Sequence, residues 1–526
     1  MNADPHDLKA LETHISRLFF TPDRVFKTLK PLANPFLDHT SIESRLKAID
    51  QEYELNRRIA PDVYLGTADV VEDGEVVDRM LVMRRLPEHR CLTAIIRGGF
   101  LTDDHIRGIA REVAVFHSAR EPILNLNSAG GLDQHRQRWQ DNVAAIEPFE
   151  GVIVGEDDAA RIRVLVDDYL DGHAELFEQR VHDGNIRDGH GDLLADDIYM
   201  LDDGPRILDC LAFRDDFRIG DVLSDVAFLA MDIHRLAGPV AAQDLIRWYC
   251  EFSGERHPGS LAHHYVAYRA HVRCKVACLR VQQGDMEYAA VARMYHRMTL
   301  DQLERARSHV VLVGGGPGTG KTTVSGRISD HYGWAVLSSD EVRKELVGED
   351  PLVHQVAEPD KGIYRPELTA KTYEELLRQA EVILASGTSV VLDASWTSAG
   401  HREAARALAR SRRAELVEIE CAIDVATARE RVARRLADGW NPSDATPAVV
   451  DHLRAERDAW PEACGLETSQ HPERSTAQAL DIIESGCVDA EKRSRAFWGK
   501  HSELATFVAM GTSTTTIYTS GEATTT

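Results

Sequence analysis

The chain has 526 residues, of which 43% are hydrophobic and 28% charged. This is the composition of a globular protein that is too long for one hydrophobic core, so we expect two or three domains. No run of about 18 uncharged apolar residues occurs, and we expect no membrane span. The formal charge of −24 disfavours sequence-independent binding to nucleic acid or anionic lipid. The eight scattered cysteines favour free thiols and a cytoplasmic location.

The beginning of the chain is predicted to contain one helix, several strands and a second helix. Residues 8–18 have helix-like apolar spacing, residues 24–27 alternate like a strand, and residues 41–59 return to helical spacing. Asp73-Gly74 then predicts a hairpin turn between two strands.

From about residue 102 the pattern becomes mainly helical. Good helices are predicted over residues 103–118, 132–145 and 157–180. Residues 186–213 interrupt them with short strands around a Gly/Asp-rich loop, and helices resume at residue 222. We expect the first, α+β domain to cover residues 1–303.

Strands and helices alternate in the second half. Apolar strand segments are predicted at residues 310–313, 335–337, 389–392 and 415–421. This rhythm predicts an α/β domain with a mainly parallel sheet, over residues 304–490. Residues 491–526 end in a Thr/Ser-rich stretch and are expected to be a partly disordered tail.

The strand at 310–313 leads into a phosphate-binding loop. Gly315-x-x-x-x-Gly320-Lys321-Thr322 fits the P-loop pattern in full, with a strand before it and a predicted helix after it. Lys321 is expected to reach the β- and γ-phosphates, and the Thr322 hydroxyl to hold Mg²⁺. The predicted nucleotide-binding residues of this loop are Gly315, Gly316, Pro317, Gly318, Thr319, Gly320, Lys321, Thr322 and Thr323.

Two further strand ends carry polar side chains. Ligands of open α/β sheets bind at the carboxyl ends of the strands. We expect Asp340 to orient an attacking hydroxyl, with Arg343 beside it on the substrate, and Asp393 to hold the magnesium water or the acceptor. Arg431, Arg434 and Arg435 lie on a predicted helix before the Gly-Trp-Asn-Pro loop at residues 439–442. They are candidates for a mobile lid that places one guanidinium, of Arg431 or Arg435, on the phosphates.

Residues 308–490 resemble the small P-loop kinases related to zeta toxins, gluconate kinases and polynucleotide kinases. The resemblance rests on residues 315–322, 339–343 and 391–393, together with the arginine segment and Ser443-Asp444. The resemblance implies phosphorylation of small molecules, sugar nucleotides or nucleic-acid ends, and does not choose among them.

In the first half, Gly189-His-Gly-Asp192 begins the informative loop. Asp197 follows five positions later, and Asp209 closes the next strand segment. Three carboxylates on two hairpin-linked strands can surround Mg²⁺ and an acceptor hydroxyl.

Residues 10–290 resemble the aminoglycoside phosphotransferase family, a branch of the protein-kinase-like fold. The resemblance implies that Asp192 is the catalytic base and that Asp209 and Asp197 bind Mg²⁺. The family usually has Asn where this chain has Asp197, and the departure adds a negative charge near the metal.

The same resemblance implies a strand lysine on the nucleotide phosphates, paired with a helix glutamate. Lys27 is the best match and Lys30 its rival, while Glu52 is preferred to Glu54. A Gly-rich loop is absent, and residues 13–16 occupy its place.

The working hypothesis is an ATP- and Mg²⁺-dependent phosphotransferase that acts on a small hydroxylated metabolite and carries a second, P-loop kinase-like domain. One alternative is a nucleotide-sensing regulatory protein in which one half has lost catalysis. Another is a polynucleotide 5′-kinase, which the charge of −24 disfavours. The acceptor and the oligomeric state cannot be read from the sequence.

Overall fold

The computed structural model describes residues 9–13, 15–34, 37–125, 130–348, 362–438 and 457–485. The chain divides into two compact units, Met1–Arg307 and Ser308–Thr526. The predicted tail, the Gly439–Pro442 loop and Ser443-Asp444 lie outside the described residues.

The first unit opens with a five-stranded antiparallel sheet in the order β1-β2-β3-β7-β6. Its strands are β1 (Lys9–Glu12), β2 (Ser16–Phe20), β3 (Arg24–Leu29), β6 (Tyr64–Glu72) and β7 (Glu75–Arg84). Two short strands, β4 (Ala33–Asn34) and β5 (Leu37–Asp38), pair with each other before helix α1 (Ile42–Asn56). The turn between β6 and β7 has positive φ at both Asp73 (53°) and Gly74 (88°), as the Asp-Gly signal predicts.

The helix predicted over residues 8–18 is wrong. The described part of this segment forms β1 and β2, with Leu11 opposite Leu18. The apolar spacing suits a helix, but β2 also pairs with β3 through Leu18 and Lys27. Pairing within a sheet therefore overrides the local pattern, as is common for short apolar segments.

The rest of the first unit is mainly helical. Its helices are α2 (Leu92–Arg97), α3 (Asp103–Ser118), α4 (Leu132–Ile146), α5 (Glu156–Gly172), α6 (Ala174–His182), α7 (Asp215–Arg218), α8 (Val222–Ala237), α9 (Pro239–Ser253), α10 (Gly259–Gln282) and α11 (Tyr288–Ala306). The single helix predicted over residues 157–180 is two helices, because the chain leaves helical geometry at His173. The His173 ring stacks on Tyr169 with 4.3 Å between ring centroids, and this buried contact accompanies the break.

Helix α8 runs through the core of the first unit. Every residue from Val222 to Ile233 is buried, as expected for a helix that is apolar on most of its circumference. Four short strands precede it in the chain and form two antiparallel pairs. They are β8 (Ile186–Asp188) with β11 (Ile219–Asp221), and β9 (Ile198–Leu201) with β10 (Gly204–Ile207).

The second unit contains a five-stranded parallel sheet in the order β13-β14-β12-β15-β16. The strands are β12 (His309–Gly314), β13 (Ala335–Ser338), β14 (Val390–Asp393), β15 (Glu415–Ala422) and β16 (Cys464–Glu467). Alternate residues of β12 enter different apolar clusters, Val310 and Leu312 in one and Val311 and Val313 in the other. Both faces of the sheet are thus covered, which explains the unbroken apolar run of this strand.

Helices surround this sheet. They are α12 (Lys321–Tyr332), α13 (Ser339–Leu346), α14 (Pro366–Ala385), α15 (Ala399–Ser411), α16 (Val425–Asp438) and α17 (Pro472–Glu484). The predicted fold class, an α+β domain followed by a parallel α/β domain, is confirmed. Strand β16 was not predicted, because its Cys464-Gly-Leu-Glu sequence is too short and mixed to show a strand period.

Two expectations from composition can be compared with the structure. In the part of the chain that the structure describes, no helix combines the length and apolarity needed to cross a membrane. Among the described residues, six cysteines are free, at positions 91, 210, 250, 274, 278 and 421. Cys464 is disulfide-bonded, so the expectation of free thiols is wrong at that residue.

Candidate active sites

Lys27 of β3 lies between two carboxylates of the first unit. Its Nζ is 2.7 Å from Oε1 of Glu52, on α1, and 3.3 Å from Oδ1 of Asp209. Burial alone would lower the pKa of Lys27, but the charges of Asp209 and Glu52 outweigh it and raise the pKa. Lys27 is therefore a cation on a strand that contacts one carboxylate on a helix and one in a loop.

The rival residues have other partners. Nζ of Lys30 donates to the carbonyl of Thr13 at 2.6 Å and lies 3.0 Å from Glu12. Glu54 is exposed and lies 3.6 Å from Arg57. Thr13 follows β1 and Ser16 begins β2, and the Thr13 hydroxyl accepts a hydrogen bond from the backbone N–H of Ser16 at 3.0 Å.

The loop that carries Asp192 is fixed by hydrogen bonds to Asp225, in the first turn of α8. The backbone N–H groups of His190 and Gly191 donate to the two oxygens of Asp225, at 2.6 and 2.9 Å. Gly191 has φ of 85°, and a Cβ there would lie 3.2 Å from the Cα of Arg218. A residue with a side chain is therefore disfavoured beside Asp192.

Asp192, Asp197 and Asp209 influence one another electrostatically. Burial raises the pKa of Asp192, and Asp209 acts in the same direction, while Arg273 and His190 oppose it. Burial also raises the pKa of Asp197 well above its ordinary value, followed by the charges of Asp209 and Asp192. The structure thus brings the three predicted carboxylates into one site with an excess of negative charge.

Asp209 has an unusual backbone conformation. Its φ is 62°, in the left-handed region that residues with a Cβ rarely adopt. The neighbouring backbone groups are held in place, because the N–H of Asp209 donates to the Tyr64 hydroxyl at 3.0 Å and that of Cys210 donates to Oδ1 of Asn56 at 2.7 Å. Non-glycine residues with positive φ are concentrated at functional sites.

Four residues that contribute to this site were not predicted from the sequence. Tyr64 and Asn56 position the Asp209 segment as described above, and Arg269 donates from Nη1 to the carbonyl of Gly191 at 3.2 Å. Arg273 acts on the charge of Asp192. The two arginines are four residues apart on α10, a spacing that marks one helix face but gives no sign of which loop that face meets.

In the second unit, the P-loop connects β12 to α12. Gly318 has φ of 80°, and a Cβ there would lie 2.6 Å from the carbonyl oxygen of Ala428, so only glycine fits. Helix α12 begins at Lys321, and Thr322 and Thr323 are exposed in its first turn. Backbone N–H groups at the start of a helix, together with a lysine and a hydroxyl, form a phosphate-binding arrangement.

The two predicted acids lie near the same edge of the sheet as the loop. Asp393 pairs in register with Val313, one residue before β12 ends, and also with Ser338, the last residue of β13. Asp340 follows in the first turn of α13. The charges of Asp393 and Asp340 both help to raise the pKa of Glu341, after burial and Glu345.

The predicted arginines differ in their surroundings. Arg431 donates from Nη2 to the carbonyl of Thr468 at 3.0 Å, and its Nη1 would lie 3.8 Å from a Cβ at Gly320 of the P-loop. Arg343 is buried, and its Nη1 donates to the carbonyl of Ile363 and to the hydroxyl of Thr369, both at 3.0 Å. Arg435 lies on α16, and its side chain is outside the described part of the chain.

The fold and the sites together define an α+β domain followed by an α/β domain with a P-loop, and a family model described as an AAA domain matches residues 310–460. The chain is 35% identical over 475 residues to the uncharacterized protein Rv2004c of Mycobacterium tuberculosis strain H37Rv, with 90% of this chain and 95% of the relative covered. The chain therefore belongs to the same family as this mycobacterial protein.

Solved structures similar to each half were also found. A structure described as the GDP and kanamycin complex of APH(2")-IIia is 14% identical and covers 58% of this chain and 94% of its own, with a TM-score of 0.38. A sugar kinase from Janibacter sp. HTCC2649 is 18% identical and covers 34% of this chain and 95% of its own, with a TM-score of 0.27.

Proposed function

We propose that this protein is an ATP- and Mg²⁺-dependent phosphotransferase whose first unit phosphorylates a hydroxyl group of a small metabolite. The observation that carries the proposal is the position of the Lys27 ammonium between Glu52 and Asp209. A lysine on a strand, paired with a helix glutamate and close to an acid of another segment, is the arrangement that protein-kinase-like enzymes use on nucleotide phosphates.

The carboxylates of Asp197 and Asp209 fit a magnesium ion. They share one site, and their mutual repulsion together with burial raises the pKa of Asp197. Hard oxygen ligands with excess negative charge are what Mg²⁺ prefers, and the bound ion would neutralise charge on the nucleotide phosphates. Asp197, in place of the amide usual in the resembling family, makes the ligand set more negative and is compatible with metal binding.

Asp192 is assigned the role of general base. The acceptor oxygen attacks the γ-phosphorus, the bond from that phosphorus to the bridging oxygen of ADP breaks, and the hydroxyl proton passes to Asp192. Burial raises the pKa of Asp192, which suits a group that must accept a proton near neutral pH. The hydrogen bonds from His190 and Gly191 to Asp225 keep the loop in place.

The second unit is assigned nucleotide binding through its P-loop, with a kinase role for the acids beside it. Lys321 and Thr322 would contact the phosphates and Mg²⁺, and Asp393 and Asp340 are the candidates for the metal and acceptor side. Arg431, next to Gly320, is better placed than Arg343 to reach a nucleotide, because the described contacts of Arg343 bind it to residues before and within α14.

The test is a screen of hydroxylated metabolites with labelled ATP, using the full chain and the variants D192A and K321A. A two-site enzyme loses a different activity with each variant. D196N, which alters an exposed acid next to Asp197, serves as the control. If the wild-type protein binds ATP but transfers phosphate to no sugar, aminoglycoside or nucleoside, the proposal fails.

A further inference from the structure

A group of three metal-ligating side chains lies in the first unit, outside the set of residues that form its candidate nucleotide site. Cys250 is near the end of α9, and Glu255 and His257 are in the segment that leads to α10. Their ligand atoms all lie within 4.8 Å of one another. We propose that these three residues bind a zinc ion that fastens the end of α9 to this segment.

The distances between the three atoms are close to those of a zinc site. Sγ of Cys250 lies 3.4 Å from Oε2 of Glu255 and 3.8 Å from Nδ1 of His257, and the nitrogen and the oxygen are 2.8 Å apart. Tetrahedral zinc with usual bond lengths separates a sulfur and a nitrogen ligand by roughly 3.5 Å, and nitrogen and oxygen ligands by roughly 3.3 Å. The carboxylate and imidazole therefore need to separate by only about 0.5 Å for the ion to enter.

The surroundings of Glu255 support metal binding over a surface cluster. The side chains of Glu255 and His257 are only 5% and 8% exposed. Nη1 of Arg180 binds the other carboxylate oxygen, Oε1, so that Oε2 faces the thiol and the imidazole. A ligating carboxylate whose second oxygen is held by a hydrogen bond is typical of protein metal sites.

Zinc is the ion that this ligand set selects. A thiolate, an imidazole and a carboxylate form a mixed sulfur, nitrogen and oxygen set, which Mg²⁺ and Ca²⁺ do not favour. Three protein ligands leave a fourth tetrahedral position for water. On binding, the zinc takes the place of the proton through which the Cys250 thiol bonds to Glu255 at 3.4 Å.

The group is also connected to the loop of the first unit. Arg180 binds both oxygens of Asp221, at 2.8 and 2.7 Å, directly before α8. Tyr249 directly precedes Cys250 in the sequence. Its hydroxyl lies 2.9 Å from Nδ1 of His117, and Nε2 of His117 is 3.1 Å from Oδ2 of Asp225. Bound zinc would therefore stabilise the start of α8, where Asp225 holds the Asp192 loop, without contacting the nucleotide.

The experiment uses the full chain, stripped with chelator and titrated with Co²⁺ and then Zn²⁺. Cobalt bound to a thiolate gives a near-ultraviolet charge-transfer band that carboxylate sites cannot give. We expect one equivalent of Co²⁺ to produce this band, Zn²⁺ to remove it by displacement, and Zn²⁺ to raise the melting temperature.

Two variants assign the band. C250S is expected to abolish it and to weaken zinc binding by tenfold or more, since even the loss of a group behind a metal ligand costs about 10- to 100-fold. C91S removes another partly exposed free thiol and is expected to leave the band intact. A wild-type protein without the band, or a band that persists in C250S, overturns the proposal. If C250S does not fold, the absence of the band from the wild-type protein would still overturn the proposal.

Discussion

Nζ of Lys27 lies 3.3 Å from Oδ1 of Asp209, although the two residues are 182 positions apart in the chain. The contact joins the antiparallel sheet of the first unit to the segment that follows β10. Nζ also lies 2.7 Å from Oε1 of Glu52, so this one ammonium contacts carboxylates from two other segments of the unit. This arrangement is the basis of the predictions for the first unit.

Replacement of Lys27 by alanine is expected to reduce phosphoryl transfer by the first unit by about 10²- to 10³-fold. The reason is the loss of a fixed positive charge on the phosphates, a contribution of the size measured for single electrostatic groups in active sites. The measurement is kcat/KM for the acceptor found in the metabolite screen.

K30A is the matched control, since Lys30 directly follows β3 in the chain but binds Thr13 and Glu12. It should keep transfer within a few fold of the wild type. Equal losses in K27A and K30A would contradict the assignment of Lys27.

Replacement of Asp197 by asparagine is expected to raise the melting temperature of the metal-free protein. Burial, Asp209 and Asp192 raise the pKa of Asp197 in the folded state, so its ionisation destabilises the folded state at neutral pH. In Mg²⁺ and ATP the wild type should gain more stability than D197N, because it has one more negative ligand. Thermal melting in chelator and in Mg²⁺-ATP measures both effects.

D196N changes the neighbouring acid, which is exposed and whose charge raises the pKa of Asp197 less than those of Asp209 and Asp192. It should therefore raise the melting temperature in chelator less than D197N does, and it should keep the wild-type gain from Mg²⁺-ATP. A D197N protein that melts lower in chelator, or gains as much as the wild type from Mg²⁺-ATP, would show that Asp197 is not in the metal site.

Replacement of Lys321 by alanine is expected to weaken nucleotide binding by the second unit about 10- to 10²-fold, since a hydrogen bond to a charged group is worth about 1.5 to 3 kcal/mol. Titration with a fluorescent nucleotide, in a K27A background that weakens the first site, isolates the effect. K371A, an exposed lysine on α14, is the control. Unchanged affinity in the Lys321 variant would remove the P-loop from nucleotide binding.

The first unit is expected to lose stability as the pH falls from 7 to 5. Burial lowers the pKa of both His135 and His271 from 6.5 to about 3, so these rings stay neutral in the folded state while the unfolded chain takes up protons below pH 6.5. Because the unfolded state then binds more protons than the folded state, the free energy of unfolding decreases as the pH is lowered. At pH 5 each ring costs about 2 kcal/mol.

Urea unfolding at pH 7, 6 and 5, followed by the fluorescence of the buried Trp139, measures the effect. Trp139 donates to Nε2 of His264, which lies 3.0 Å from Nε2 of His135. The variant H135Q should reduce the dependence on pH, whereas H89Q, at an exposed ring, should not. A free energy of unfolding that stays constant between pH 7 and 5 would mean that these rings are protonated or hydrated in the folded state.

The sequence alone determined the features that are written in one contiguous stretch. The P-loop could be predicted because strand, glycines, lysine and hydroxyl follow one another in a fixed order. The Asp73-Gly74 turn could be predicted because two successive residues with positive φ require such residues. The buried helix α8 could be predicted to begin at Val222 because its apolar pattern is local.

Only the tertiary structure decided which distant residues meet. It places Lys27 on Glu52 and Asp209 and directs Lys30 elsewhere, and it turns residues 9–20 into two strands. It also brings Arg273 close enough to act on Asp192 and gathers Cys250 with Glu255 and His257. The physical reason is that these contacts depend on strand register and helix packing, which arise from burial over the whole unit and leave no periodic signal in any one segment.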